Sequence, residues 1–124
     1  IGLGVSLAMR ASPGPLTAEE IRAKRNPFPP TQESLTLGER IYRAQCQVCH
    51  GVNGRGDGPA APTLHPRPAD FRVHLAAGHT DGELFAWVSD GVKGTAMPAF
   101  RDQLSEEERW HVINFIKTFA PTDR

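Results

Sequence analysis

The stretch CQVCH at residues 46–50 holds both cysteines of the chain. Two thiols separated by two residues serve a dithiol couple, a metal site or a thioether-bound macrocycle, and each places the protein in a different functional class. The surrounding sequence decides between them.

A dithiol of the thioredoxin kind stands at the mouth of a helix that follows a buried strand. Nothing before Cys46 reads as such a strand, and the pair lies at the end of a helical pattern instead. A structural zinc site needs four ligands, usually as two paired sets. Cys46, Cys49 and His50 supply part of one set, but His65, His74, His79 and His111 show no paired spacing, and the neighbours Cys49 and His50 strain in opposite directions. The haem reading uses the whole run. Two thiols at this spacing add to the two vinyl groups of a porphyrin, His50 reaches the iron, and CxxCH is the signature of that attachment.

The residues after the run agree with a wrapped ligand. From Gly51 to Phe71 the chain reads GVNGRGDGPAAPTLHPRPADF, with neither helical nor strand periodicity. A loop of about 20 residues is uncommon in a small domain unless it encloses something.

The expected helices are few. LTLGERIYRAQC predicts one over about 35–46, with Gly38 in its interior. Glycine costs about 1 kcal/mol relative to alanine there, so it marks a place where another backbone comes close. Thr80 and Glu83 have the spacing of a capping box for a helix over 81–90, which Gly91 stops. Ser105 and Glu108 open another, SEEERWHVINFIKTF, whose acidic first turn suits the helix dipole. Its Val112, Ile113, Phe115, Ile116 and Phe119 form a broad apolar stripe. No run alternates with period two for long enough to suggest a sheet.

An electron-carrying haem fills both axial positions of its iron, and methionine opposite histidine raises the potential. The chain has two methionines, Met9 near the N-terminus and Met97 in KGTAMPAF. Pro98 restricts Met97 to extended geometry in a loop between two helices, which makes it the candidate for the sixth ligand.

Composition bounds the partners. With 14 basic and 14 acidic residues the formal charge is zero, which argues against nucleic acid as a partner. The 124 residues suit one core. IGLGVSLAM at the N-terminus is apolar over nine residues, too short to cross a bilayer, which takes about 20. It reads equally as the tail of a longer signal or anchor segment upstream of Ile1 and as an apolar arm on the domain. Prolines at 13, 15, 27, 29 and 30 then bracket a short stretch, residues 18–25, that Thr17 and Glu20 cap. Residues 1–32 are accordingly expected to be an arm and proline-rich tether, and residues 33–124 the domain proper.

Taken in order, LGERIYRAQCQVCHGVNGRGDGP, DGVKGTAMPAF and LSEEERWHVINFIKTF resemble a small bacterial monohaem class I cytochrome c over about residues 33–120. The lead-in NPFPPTQES is similar to that of cytochrome domains attached to membrane complexes. The resemblance implies an all-α fold, three to four helices and long loops around one haem c. Cys46 and Cys49 would bind it covalently, with His50 as proximal and Met97 as distal iron ligand. It further implies that the backbone carbonyl of Pro59, with Pro62 in second place, accepts the hydrogen bond of the proximal imidazole. Gly38 and Tyr42 would face Val112 and Phe115 where the first and last helices cross. Arg67, Arg72, Trp87 and Lys93 are all candidate donors to the haem propionates, and no spacing singles one out.

The function implied is one-electron transfer, by a soluble or tethered carrier rather than an enzyme. Its partner would be a respiratory complex, oxidase or dehydrogenase, met in the periplasm or at the outer face of the membrane. Lys93 and Arg101 flank the Met97 loop as modest positive elements for such an encounter. The alternative is a haem enzyme or gas sensor with a labile sixth ligand.

Overall fold

The computed structural model describes residues 14–121. Met9 and the apolar N-terminal run lie outside the described residues. Six α-helices follow in order: α1 (Ala18–Ala23), α2 (Gln32–Gln45), α3 (Gln47–His50), α4 (Phe71–Ala76), α5 (Asp81–Asp90) and α6 (Glu106–Ile116), with 3₁₀ turns at Ala61–Thr63 and Lys117–Phe119. Among the described residues there is no strand. The all-α expectation therefore holds, with two more short helices than the sequence pattern announced.

Local chemistry sets these boundaries. Thr17, Thr80 and Ser105 each close a complete capping box, with Glu20, Glu83 and Glu108 reaching back to the cap N–H. The helix expected from about residue 35 starts three residues earlier, because the Thr31 hydroxyl accepts the Ser34 N–H at 3.1 Å. The six residues of α4 carry too little periodicity to be seen in the sequence. They form behind Asp70, whose carboxylate accepts the Arg72 N–H at 2.9 Å.

The core lies between α2, α5 and α6, and α2 makes its most extensive contact with α6. At their crossing a Cβ on residue 38 would overlap the His111 carbonyl oxygen and come 2.8 Å from Phe115 Cβ. The glycine is thus required by close approach, although the facing carbonyl belongs to His111 rather than to Val112. One turn on, fully buried Tyr42 packs on Phe115 and Phe119 with ring centroids 5.3 and 5.4 Å away. Phe85 of α5 stacks on Trp110 of α6 at 3.8 Å, and Leu84, Val88, Phe100, Leu104, Val112, Ile113 and Ile116 complete the apolar cluster.

Part of the proline-rich segment lies on the domain. Residues 17–30 lie as a strap on α5 and α6. Helix α1 packs against α5, where Arg22 reaches Glu83 at 3.1 Å. The Asn26 amide donates to the Trp110 carbonyl and to Asn114 Oδ1, both at 3.0 Å, and Asn114 returns a bond to the Phe28 carbonyl at 3.0 Å. Phe28 packs its ring on His111 at 4.7 Å. Prolines stiffen the segment, but one amide and one aromatic side chain bind it to the domain. Beneath them Ser34, His111 and Asn114 are buried and joined through the Ser34 hydroxyl, whose Oγ lies 2.7 Å from His111 Nδ1 and 2.8 Å from Asn114 Nδ2. His111 is therefore part of the interior.

Candidate haem site

Cys46 ends α2 and begins α3, and His50 is the last residue of α3. The loop beyond it holds this turn by backbone alone. The N–H groups of Gly56, Gly58 and Ala60 donate to the carbonyls of His50, Cys49 and Val48 at 2.8, 3.0 and 2.9 Å. Gly58 lies so close to the turn that a Cβ there would overlap the Val48 carbonyl oxygen. The run of glycines after CQVCH thus lets the loop lie flat against the turn and take up its carbonyls. Tyr42 adds a hydroxyl bond to the Gly51 carbonyl at 2.5 Å, and burial pushes its phenol pKa upward.

The two thiols and the imidazole face one cavity of about 350 Å³. That volume falls in the range of ligand-binding pockets. Leu84, Trp87, Val88, Phe100 and Ile116 supply an apolar wall, and Met97 stands on the same cavity. The loop bearing Met97 is tied at both ends. The Thr95 hydroxyl accepts the Met97 N–H at 3.2 Å, and the N–H groups of Phe100 and Arg101 return to the Val88 and Ser89 carbonyls of α5, both at 3.0 Å.

Electrostatics distinguish the candidate chemistries. Burial, followed by the neighbouring Cys49, pushes the Cys46 thiol up to about 12. A redox dithiol needs the opposite, a pKa lowered toward neutrality. Burial also lowers the His50 pKa, against the bond to Ala69 and with a smaller contribution from His74. Its Nδ1 lies 3.2 Å from the Ala69 carbonyl oxygen, and a carbonyl only accepts. The neutral ring therefore carries its proton on Nδ1 and leaves the Nε2 lone pair for a metal. Phe71 stacks against the ring at 4.4 Å and fixes its plane.

The acceptor corrects the sequence expectation. Pro59 and Pro62 are both exposed, because the Ala60 and Ala61 N–H groups fold that segment back on Val48 and Gly58. The chain instead returns to His50 at Ala69, 19 residues beyond it. A backbone carbonyl carries no residue signature, so no sequence signal marks this one. Of the four candidate propionate donors, Arg67 and Trp87 line the cavity, whereas Arg72 and Lys93 do not. His74 also lines it, and behind it His79 bridges His74 and Trp87 by ring contacts at 5.3 and 4.9 Å. His65 is exposed.

The donor set fits one kind of group. Among the described residues no three or more His, Cys, Asp and Glu side chains converge as a metal site would require. Two thiols, one imidazole with a free lone pair, one thioether and an apolar wall suit a flat apolar macrocycle carrying its own metal.

Comparison with known proteins agrees. The family described as "Cytochrome C oxidase, cbb3-type, subunit III" matches residues 33–116. The chain is 29% identical over 83 residues to the cytochrome c subunit of a quinone-dependent alcohol dehydrogenase from Gluconobacter oxydans, covering 64% of this chain and 17% of that one. It is 29% identical over 114 residues to the cytochrome c subunit of the cytochrome bc1 complex of Corynebacterium efficiens, covering 88% and 34%. It thus spans at most about a third of the length of either relative. A solved structure of the Kuenenia stuttgartiensis reducing HAO-like protein complex superposes with a TM-score of 0.70 at 28% identity, over 94% of this chain and 55% of its counterpart.

Proposed function

The chain belongs to the cytochrome c family of the cbb3-type oxidase subunit III, and from that membership we propose that it is a one-electron carrier with a single haem c. The convergence of Cys46, Cys49, His50 and Met97 on one apolar cavity carries this reading. A c-type haem bound there supplies the Fe(III)/Fe(II) couple. Cys46 and Cys49 would hold it through thioethers, His50 Nε2 and the Met97 sulfur would ligate its iron, and the Ala69 carbonyl would keep the imidazole in its ligating tautomer. The apolar wall excludes water, and a thioether ligand favours the reduced iron.

Both relatives are cytochrome c subunits, one of a quinone-dependent alcohol dehydrogenase and one of a bc1 complex. That supports a respiratory complex or a dehydrogenase as the redox partner. The place of action would be the periplasm or the outer face of the membrane, with the domain either soluble or tethered. Among the described residues no helix is long and apolar enough to cross a membrane.

The test is an optical spectrum of the chain produced with haem-attachment machinery, with the mass of the denatured protein beside it. One haem retained after denaturation, lost when Cys46 and Cys49 are both changed to Ser, is the expected result. A native reduced protein that binds CO as readily as a Met97→Ala variant would replace the carrier by a sensor or enzyme with an open sixth position.

A further inference from the structure

The segment from Gly91 to Leu104 joins α5 to α6 and carries Met97. It is flanked by Ser89, in the last turn of α5, and by Ser105, the N-cap of α6. One side chain reaches both. Arg109 Nη1 donates to Ser89 Oγ at 2.5 Å, and its Nε and backbone N–H donate to the Ser105 carbonyl at 3.3 and 3.0 Å.

The interior is an unusual place for this cation. Arg109 is 5% exposed and Ser89 1%, and no ion pair among the described residues includes Arg109. A buried charge without a carboxylate beside it is strongly disfavoured unless hydrogen bonds and polarisable surface compensate. Here the two serines compensate, together with the Phe85 ring, whose centroid lies 5.0 Å from the guanidinium carbon. The bond to Ser89 is thus charge-assisted and shielded from water, the setting in which a hydrogen bond is strongest.

Ser89 in turn holds the segment. Its carbonyl accepts the Arg101 N–H at 3.0 Å, beside the bond from Phe100 to Val88, and the Arg101 guanidinium adds bonds to Asp90 at 3.0 and 2.7 Å. Gly91 fits so closely that a Cβ there would stand 2.8 Å from the Met97 carbonyl oxygen. The backbone of Met97 is therefore seated on the C-terminal turn of α5, and Arg109 joins that turn to α6. Neither Arg109 nor Ser89 lines the cavity.

We propose that Arg109, acting through Ser89, is a positioning residue for Met97: it clamps the loop to α5 and α6 so that the thioether stays on the iron. This rests on the reading of Met97 as an iron ligand given above. A competing ligand enters only when the loop opens, and its apparent affinity rises with the fraction of chains in the open form. That affinity therefore measures the clamp.

The test uses the haem-loaded ferric protein, with imidazole as the competing ligand and the sulfur-to-iron charge-transfer band as the signature of Met97 ligation. Ser89→Ala and Arg109→Met should each weaken that band and bind imidazole about tenfold more tightly, the size of one charge-assisted hydrogen bond. The double variant should bind it no more tightly than Arg109→Met alone, because the two residues act as one unit. Asn114→Ala, which disturbs the strap rather than the loop, should keep the native affinity. Native affinity in Ser89→Ala, additive gains in the double variant, or an equal gain in Asn114→Ala overturns the assignment and leaves the haem reading intact. Absence of the band from the native ferric protein removes Met97 from the iron, and the clamp's role with it. Should Arg109→Met fail to retain haem, Ser89→Ala, which deletes only a hydroxyl, decides the question alone.

Discussion

The carbonyl of His111 stands where a side chain on residue 38 would begin, so α2 and α6 meet backbone to backbone. Alanine at 38 should gain about 1 kcal/mol of helix propensity and lose more than that to the overlap. Gly38→Ala is expected to lower unfolding stability by about 1–3 kcal/mol net. Urea titration of the haem-loaded protein measures it, and a midpoint at or above the native value would show that the helices separate freely.

The strap gives a second prediction. Asn114 is only 5% exposed, and it joins Asn26, the Phe28 carbonyl and Ser34. Asn114→Ala removes one hydrogen-bond partner from each of those groups and the one side-chain donor from the Phe28 carbonyl, at a cost of about 1–3 kcal/mol. Limited proteolysis should then cut between Thr17 and Pro30 much faster than in the native protein. Equal cutting rates would mean that other contacts suffice to hold the segment.

Glu83 predicts a pH dependence. The Thr80 backbone N–H, assisted by Arg22 and His79, holds its carboxyl below the ordinary 4.5. A depressed folded pKa contributes stability that is present above that value and is lost as pH falls through the folded one. Glu83→Gln should therefore be less stable than the native chain near neutrality and equal to it in strong acid. A constant gap across the acid range would place the effect elsewhere than in the carboxylate charge.

Met97 provides the fourth. Replacing it by alanine removes the thioether from the cavity wall. The midpoint potential should fall, and cyanide or imidazole should bind at least tenfold more tightly, about 1.4 kcal/mol. Unchanged affinity and potential would remove Met97 from the iron.

Much of the fold and the site is legible in the sequence, for reasons that differ by residue. Helix α5 runs over 81–90 as expected, because Thr80, Glu83 and Gly91 are local signals whose chemistry acts within three or four residues. Cys46, Cys49, His50 and Met97 stand out because their side chains are chemically rare. The Ala69 carbonyl is invisible there, since every residue has one and only the path of the loop chooses between them. The strap escapes sequence reasoning for a similar reason. Asn26 looks like an ordinary loop residue until Asn114, 88 positions away, is brought beside it.

The contact at Gly38 also has a mechanical meaning. Helix α2 is pinned at that point and delivers Cys46 eight residues later, about 12 Å along the axis. The crossing is a fulcrum and the last two turns of α2 are a stiff arm with the CQVCH turn at its tip. A side-chain change elsewhere in the core is absorbed by neighbouring rotamers, but a displacement at the fulcrum is carried undamped to the cysteines and to His50. Tolerance for sequence drift in this fold should therefore be lowest at a residue that touches nothing in the cavity.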